Sequence, residues 1–181
     1  MNVLEEIQKI KIVPVTVFNS LEEVVPTLNK LVKGNIPITE VCFRTEYAEE
    51  AIKIATSECH NILVGAGTVI NKEQCERAIK AGAKFIVSPG FSDNVFDVCR
   101  KYNIPYLPGA VTPSEIMHAL DKGITYIKFF PAGVFGGLKA IKALGAAFPQ
   151  VKFMPTGGVD LTNLREFIDC KNIFAIGGSF L

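Results

Sequence analysis

The sequence predicts an α/β fold, a single (β/α)8 TIM barrel that spans residues 1–181. Two observations carry this prediction. Short runs of β-favouring residues recur eight times, each beginning roughly 20 to 27 residues after the previous one, which is the length of one strand plus one helix. No GxGxxG turn follows the first run, so an open, doubly wound sheet is disfavoured.

The predicted strands are short and lie between segments with helical patterning. They begin near Val13, Thr39, Asn61, Phe85, Pro105, Tyr126, Phe153 and Ile173. Apolar residues from Ala48 to Ala55 form the stripe of one intervening helix.

Helix starts are marked by capping residues. Thr112, followed by Pro113 and Glu115, predicts a capping box with a proline at the first helical position. Ser20 with Glu23 has the same spacing, and Pro26 predicts a kink in the helix that follows. Asn71 and Asp160 indicate two further starts, at the helices that precede the fourth and the eighth strand.

The end of the chain departs from the usual barrel. Only residues 177–181 follow the eighth predicted strand, so we expect the closing helix to be absent. Either the chain is truncated, or another subunit covers the apolar outer face expected around residues 173–176.

Composition narrows the function classes. The net charge is +1 with interspersed signs, which argues against a nucleic-acid or anionic-membrane partner. The first residues lack a basic leader and no stretch has the length of a membrane span, so a cytoplasmic location is expected. Five scattered cysteines without a CxxC pair, and only two histidines, predict neither a disulfide framework nor a metal site.

Lys128 is the strongest candidate for catalysis. It lies within an otherwise apolar strand, residues 126–131, in which no neighbour supplies a carboxylate. Burial penalises the charged ammonium and favours the free amine, which can attack a carbonyl to form a Schiff base. The alternative is a structural lysine whose head reaches water at the strand end.

The second predicted strand carries two charged residues, Glu40 and Arg44, four positions apart. Strand alternation places Thr39, Val41 and Phe43 on one face, towards the helices. It places Glu40, Cys42 and Arg44 on the other face, so that the two charges point into the barrel. A charge inside a barrel is costly unless it is paired or used in catalysis. A purely structural ion pair between Glu40 and Arg44 is the alternative.

Glycine-rich turns follow several strands. The turns after the seventh and eighth strands contain Gly157-Gly158 and Gly177-Gly178-Ser179, at the positions where barrels often bind phosphate through backbone N–H groups. After the third and fourth strands, Thr68 offers a hydroxyl to a substrate carboxylate and Pro89 shapes the pocket wall, or both are only turn residues.

Taken together, these segments resemble the 2-keto-3-deoxy-6-phosphogluconate aldolase family, which includes enzymes that also act on 4-hydroxy-2-oxoglutarate. The matching segments run in family order along the chain: residues 40–46, 64–69, 88–90, 108–109, 112–115, 128–132, 155–158 and 177–179. One departure is Gly133-Val134-Phe135, where relatives carry a glutamate after the alanine.

The resemblance implies a metal-independent, cofactor-free class I aldolase that forms a homotrimer. In it, Lys128 forms the Schiff base and Glu40 moves protons. The implied substrate-binding residues are Arg44 and Thr68 for the pyruvyl carboxylate, Pro89 and Phe130 beside the pyruvate moiety, Thr156 near the aldehyde-derived carbon, and Gly157, Gly158, Gly178 and Ser179 for the phosphate.

Three alternatives stay open at this point. A sibling aldolase would act on the galactonate epimer or on the unphosphorylated substrate, and nothing in the sequence reads the epimeric hydroxyl. A phosphate-binding barrel without covalent chemistry would leave Lys128 with a structural role. An assembly module would use the shortened barrel chiefly as an oligomer building block.

Overall fold

A computed structural model describes residues 2–179 of the chain. Within that range eight strands alternate with helices. The strands are β1 Ile12–Thr16, β2 Ile38–Cys42, β3 Leu63–Gly67, β4 Ile86–Val87, β5 Tyr106–Leu107, β6 Tyr126–Phe129, β7 Lys152–Pro155 and β8 Ile176–Gly178. The helices are α1 Val3–Ile10, α2 Val24–Lys33, α3 Ala48–Glu58, α4 Lys72–Lys80, α5 Asp93–Tyr102, α6 Pro113–Asp121, α7 Gly137–Ala147 and α8 Leu164–Ile168.

The strands pair in parallel and form a closed ring. Six of them form one sheet in the order β5-β4-β3-β2-β1-β8, and β6 pairs with β7 in a second sheet. Single bridges join the two sheets: Gly109 pairs with Lys128 between β5 and β6, and Thr156 pairs with Gly177 between β7 and β8. Since every neighbour pair from β1 to β8 and back is connected, the (β/α)8 barrel is confirmed.

Apolar residues fill three regions around this ring. One cluster lies between β2–β5 and helices α2–α5, and a second between β6–β8 and helices α6–α8. The third lies inside the ring, where Phe85, Leu107 and Met154 meet Ile7 of α1. Helix α1, which was not predicted from the sequence, therefore closes the amino-terminal end of the barrel, opposite the end where barrel active sites form.

The capping predictions have mixed outcomes. Thr112 and Glu115 form the full capping box of α6, and Asn71 caps α4 by accepting from Gln74. Ser20 caps a short 3-10 helix, Leu21–Glu23, instead of α2. Pro26 causes no break because it lies in the first turn of α2, where its missing N–H has no helical partner to lose.

Asp160 was predicted to start the last helix, and this is wrong. Its carboxylate instead accepts from the backbone and hydroxyl of Thr162, and α8 begins at Leu164 after Asn163. A carboxylate that bonds two residues ahead forms a local turn that competes with helix initiation.

The expected bare outer face near the last strand is also absent. Strand β8 begins three residues later than predicted, and residues 173–176 are each at most 7% exposed. Ile173 and Ile176 pack in the cluster beneath α7 and α8, while Phe174 and Ala175 face the interior cluster closed by α1. The chain's own helices therefore cover this segment. None of the described helices is long and apolar enough to cross a membrane.

Candidate active site

Lys128 and Glu40 meet inside the barrel. Lys128 lies on β6 and Glu40 on β2, and Nζ of the lysine donates to Oε1 of the glutamate over 3.1 Å. The side chains are 4% and 0% exposed, so the pair is shielded from water. The sequence predicted an inward Glu40 and an apolar surrounding for Lys128, and the structure brings the two together. Glu40 pairs with Lys128. The alternative, a structural ion pair between Glu40 and Arg44, is not observed among residues 2–179.

The carboxylate of Glu40 has a second contact at the same oxygen. Cys42, two residues along β2, points inward as well and donates from Sγ to Oε1 at 4.0 Å. Burial, and then the charge of Glu40, raise the pKa of the Cys42 thiol, which therefore stays protonated and able to donate. Oε2 of Glu40 is buried and has no hydrogen-bond partner among residues 2–179.

Above this pair lies an open cavity of about 330 Å³. It is lined by Val15, Arg44, Phe130, Thr156, Gly157, Gly158, Val159, Gly178 and Ser179. Phe130 links the cavity to the ion pair, since Nζ of Lys128 lies 5.3 Å from the centre of its ring. Lys128 and Glu40 are not themselves among the lining residues, so Phe130 is the contact between the lysine amine and a space large enough for a small keto acid.

Arg44 lines the cavity as predicted, but a turn and not strand β2 positions its side chain. Strand β2 ends at Cys42, so strand alternation does not set the direction of Arg44, which lies in the following turn. Its Nε donates to Oγ1 of Thr68 over 3.1 Å. Thr68 has a φ of 56°, which is unusual for a threonine and brings its hydroxyl beside the guanidinium. Together the two groups form a donor pair suited to a carboxylate.

Pro89 lies near Lys128 through a backbone contact. It is not among the lining residues, and its carbonyl packs against Gly109, the residue that bridges to Lys128. Pro89 therefore lies beside the backbone that pairs with Lys128, and its role at the pocket wall stays a prediction.

The glycine turns after β7 and β8 line the other end of the cavity. Gly157 and Gly158 both have positive φ, 79° and 84°, which an L side chain rarely adopts. The loop after β6 is bound to them, because the backbone N–H of Gly133 donates to the carbonyl of Gly157. A Cβ on Gly158 would lie 2.8 Å from the Cα of Gly133. This packing holds the turns against the cavity, as phosphate binding by backbone N–H groups requires.

Comparisons with known proteins decide the family. The family model described as "Aldolase: KDPG and KHG aldolase" matches residues 3–181. The chain is 40% identical to the 2-dehydro-3-deoxy-phosphogluconate aldolase of Treponema pallidum over all of this chain and 86% of that protein.

The chain belongs to the KDPG and KHG aldolase family. Two solved members match its fold. The 2-keto-3-deoxy-6-phosphogluconate aldolase of Zymomonas mobilis ZM4 with 3-phosphoglycerate has a TM-score of 0.94 at 36% identity, covering 99% of this chain and 86% of that one. KDPG aldolase from Legionella pneumophila, with pyruvate captured as a covalent carbinolamine intermediate, has a TM-score of 0.91 at 38% identity, covering 94% and 82%.

Sequence reasoning missed several residues of this aldolase-family site. Val15 and Val159 line the cavity, and Cys42 contacts the carboxylate of Glu40, but each looks like an ordinary core residue in the sequence. For Val15 and Cys42 a signal was present, because each lies on the inward face of its strand at the end where barrel sites form. Within residues 2–179, no group of three or more His, Cys, Asp or Glu side chains could hold a metal ion.

Proposed function

We propose that the protein is a class I aldolase that reversibly cleaves 2-dehydro-3-deoxy-6-phosphogluconate to pyruvate and D-glyceraldehyde 3-phosphate. The observation that carries the proposal is the buried contact of Lys128 with Glu40 beneath an open cavity. A buried amine beside a carboxylate is the arrangement that imine chemistry needs, because the carboxylate can take and return the protons of each step.

The steps follow from these two groups. The amine of Lys128 attacks the C2 carbonyl, and loss of water from the carbinolamine gives an iminium. The C4 hydroxyl then loses its proton, the C3–C4 bond breaks, and its electron pair passes into the iminium to give an enamine. D-glyceraldehyde 3-phosphate leaves as the aldehyde. Protonation of the enamine at C3 and addition of water release pyruvate and restore the free amine.

Glu40 is the proposed proton carrier in these steps. Its Oε1 faces Nζ of Lys128, so a proton can pass between amine, carboxylate and the departing water over hydrogen-bond distance. Its Oε2 is buried without a partner among the described residues, which leaves it for an atom of the substrate.

The two ends of the cavity suit the two acidic ends of the substrate. Arg44 and Thr68 would bind the carboxylate next to C2, and Phe130 and Pro89 would flank the pyruvyl part. Gly157, Gly158, Gly178 and Ser179 would bind the phosphate, and Thr156, which also lines the cavity, would lie near the aldehyde-derived carbon. The Zymomonas relative is described with 3-phosphoglycerate, which supports a phosphorylated substrate for this chain.

A second activity is included in the proposal, because the matched family covers KHG as well as KDPG aldolases. The same lysine would cleave 4-hydroxy-2-oxoglutarate to pyruvate and glyoxylate, without use of the phosphate turns. Measuring kcat/KM for this compound, and for the gluconate and galactonate epimers, decides the preference among the three.

Reductive trapping tests the covalent step. Pyruvate with borohydride should add one reduced adduct per chain, and peptide mapping should place it on Lys128. Lys128→Met should abolish both the adduct and turnover. The exposed Lys84 gives the matched control, and Lys84→Met should keep both. Adduct on Lys84 or Lys152, or none in active protein, would contradict the assignment and favour a barrel without covalent chemistry.

Turnover and trapping after removal of metal ions test whether the protein needs a metal. Exhaustive chelation should leave both turnover and trapping unchanged, because the iminium itself withdraws the electrons that a Lewis acid would otherwise accept. Activity that is lost on chelation and restored by zinc or magnesium would instead show a metal-dependent aldolase.

We also propose that the protein assembles as a homotrimer. The family resemblance and the exposed apolar side chains after β6 and β7 support this, with Val134 80%, Phe135 47% and Leu161 82% exposed. Sedimentation at micromolar concentration should give the mass of three chains. Phe135→Glu should weaken the assembly, and Glu58→Gln, on the exposed end of α3, should not. A monodisperse monomer would refute the proposal.

A cytoplasmic location is part of the same proposal. All five cysteines are free thiols, and those of Cys75 and Cys99 share a hydrogen bond with their Sγ atoms 3.6 Å apart. Unpaired cysteines of this kind are typical of proteins that work in a reducing compartment.

A further inference from the structure

Gly67, the last residue of β3, lies directly against Glu40. A Cβ at this glycine would overlap Oε1 of Glu40, and would lie 2.5 Å from its Cγ and 2.6 Å from its Cδ. Gly67 is not among the glycines with positive φ, so its backbone conformation is open to alanine. The reason for a glycine here is therefore space and not backbone freedom.

The space next to Gly67 differs from that next to the other buried glycine of β3. A Cβ at Gly65 would overlap the ring of Phe85, an apolar residue of the interior cluster. Gly65 therefore makes room for core packing, whereas Gly67 makes room for a charged side chain.

The carboxylate that fills this space is held on several sides. Oε1 accepts from Nζ of Lys128 at 3.1 Å and from Sγ of Cys42 at 4.0 Å. With Gly67 against its stem and Oε1 held by two donors, Glu40 presents Oε2 as its unpartnered oxygen in the described part of the chain. The contacts thus occupy Oε1 and leave Oε2 without a partner among residues 2–179.

We propose that Gly67 is a positioning residue, whose missing side chain lets the carboxylate of Glu40 lie between Lys128 and Cys42 with Oε2 turned to the substrate. This inference rests on the proposed aldolase function and deepens it. A methyl group at residue 67 moves the carboxylate without removing it. Imine formation at Lys128 is then kept, and the proton transfers that need Oε2 are lost.

Two readouts separate these steps. Exchange of the methyl hydrogens of pyruvate with solvent deuterium requires both the imine and proton removal from C3, whereas borohydride trapping at equilibrium requires only the imine. In Gly67→Ala the trapped adduct should stay near the wild-type amount. The exchange rate should fall by on the order of 10²-fold, the effect of a catalytic group displaced by about 1 Å. Gly34→Ala, at the exposed end of α2, is the control and should change neither.

A double-mutant cycle tests whether Gly67 acts through Glu40. Since Glu40→Ala removes the atoms that a methyl group would overlap, adding Gly67→Ala in that background should cause no further loss of exchange. The fall in melting temperature caused by Gly67→Ala should also be smaller there than in the wild type. Additive losses in both measurements, or full exchange in Gly67→Ala alone, would overturn the inference.

The cycle stays informative if Gly67→Ala does not fold. The double variant must then fold whenever Glu40→Ala folds, because the overlap is gone, and failure of the double variant alone would overturn the inference. If wild-type protein forms no adduct with pyruvate, the proposed function fails. The melting temperatures still show whether Gly67 and Glu40 are coupled in the fold.

Discussion

At the scale of single residues, the buried side chain of Lys128 is paired with the carboxylate of Glu40. The two side chains are almost completely shielded from water and lie 3.1 Å apart. Removing one partner of such a pair leaves the other unpaired in a medium that solvates it poorly. The neutral isostere glutamine is therefore a better probe of catalysis than alanine, because it keeps the shape and one oxygen next to the lysine.

Glu40→Gln should lower turnover by about 10²-fold or more, since glutamine cannot carry a proton. The adduct trapped with pyruvate should still map to Lys128, although it should form more slowly. Steady-state turnover and the time course of trapping measure the two effects. Glu58→Gln, on the exposed end of α3, should match the wild type. Near-normal turnover in Glu40→Gln would show that another group moves the proton.

The sequence predicted those features of the site that depend on one strand alone, namely the direction and the burial of a side chain. Alternation along β2 predicted that Glu40 faces inward, and the apolar neighbours of Lys128 predicted its burial. The contact between them joins residues 88 positions apart, and only closure of the barrel brings them together. The roles of Cys42 and Gly67 were not predicted for the same reason, because they depend on the position of the Glu40 side chain.

At the scale of elements, helix starts were predicted best where a cap is complete within the sequence. The box of Thr112 and Glu115 satisfies three backbone N–H groups, those of Val111, Thr112 and Glu115. Asp160 failed as a start because its carboxylate has a nearer partner in Thr162. A lone Asp, Asn or Ser can form either a local turn or a helix N-cap, and the sequence alone does not show which of the two forms.

Thr112→Ala should destabilise the protein by about 1 kcal/mol, since it removes the acceptor for the N–H of Glu115. For a domain of this size, the melting temperature should fall by about 2–4 °C. Calorimetry or thermal circular dichroism measures the change. Ser114→Ala, an exposed substitution two residues along in the same turn, should leave the melting temperature nearly unchanged. An equal fall in both variants would show that the box contributes nothing specific.

At the scale of the whole molecule, periodicity was sufficient to predict the number and order of the strands. Eight runs at regular spacing imply a ring of parallel strands, and the ring is closed. The periodicity did not predict which faces are covered. Residues 173–176 looked bare because no helix follows them in sequence, yet α1, α7 and α8 cover them from earlier in the chain.

The ring is closed between β5 and β6 by the bridge from Gly109 to Lys128, so the lysine proposed to form the Schiff base also connects the two sheets. Its backbone N–H donates to the carbonyl of Pro108 and its carbonyl accepts from Ala110. Glu40 lies in the six-stranded sheet and Lys128 in the two-stranded one. Natural selection on turnover therefore also acts on barrel closure, since a mutation that opens this join separates the amine from its carboxylate. In a library of random variants, those that keep activity would therefore be those in which the two sheets remain joined at this bridge.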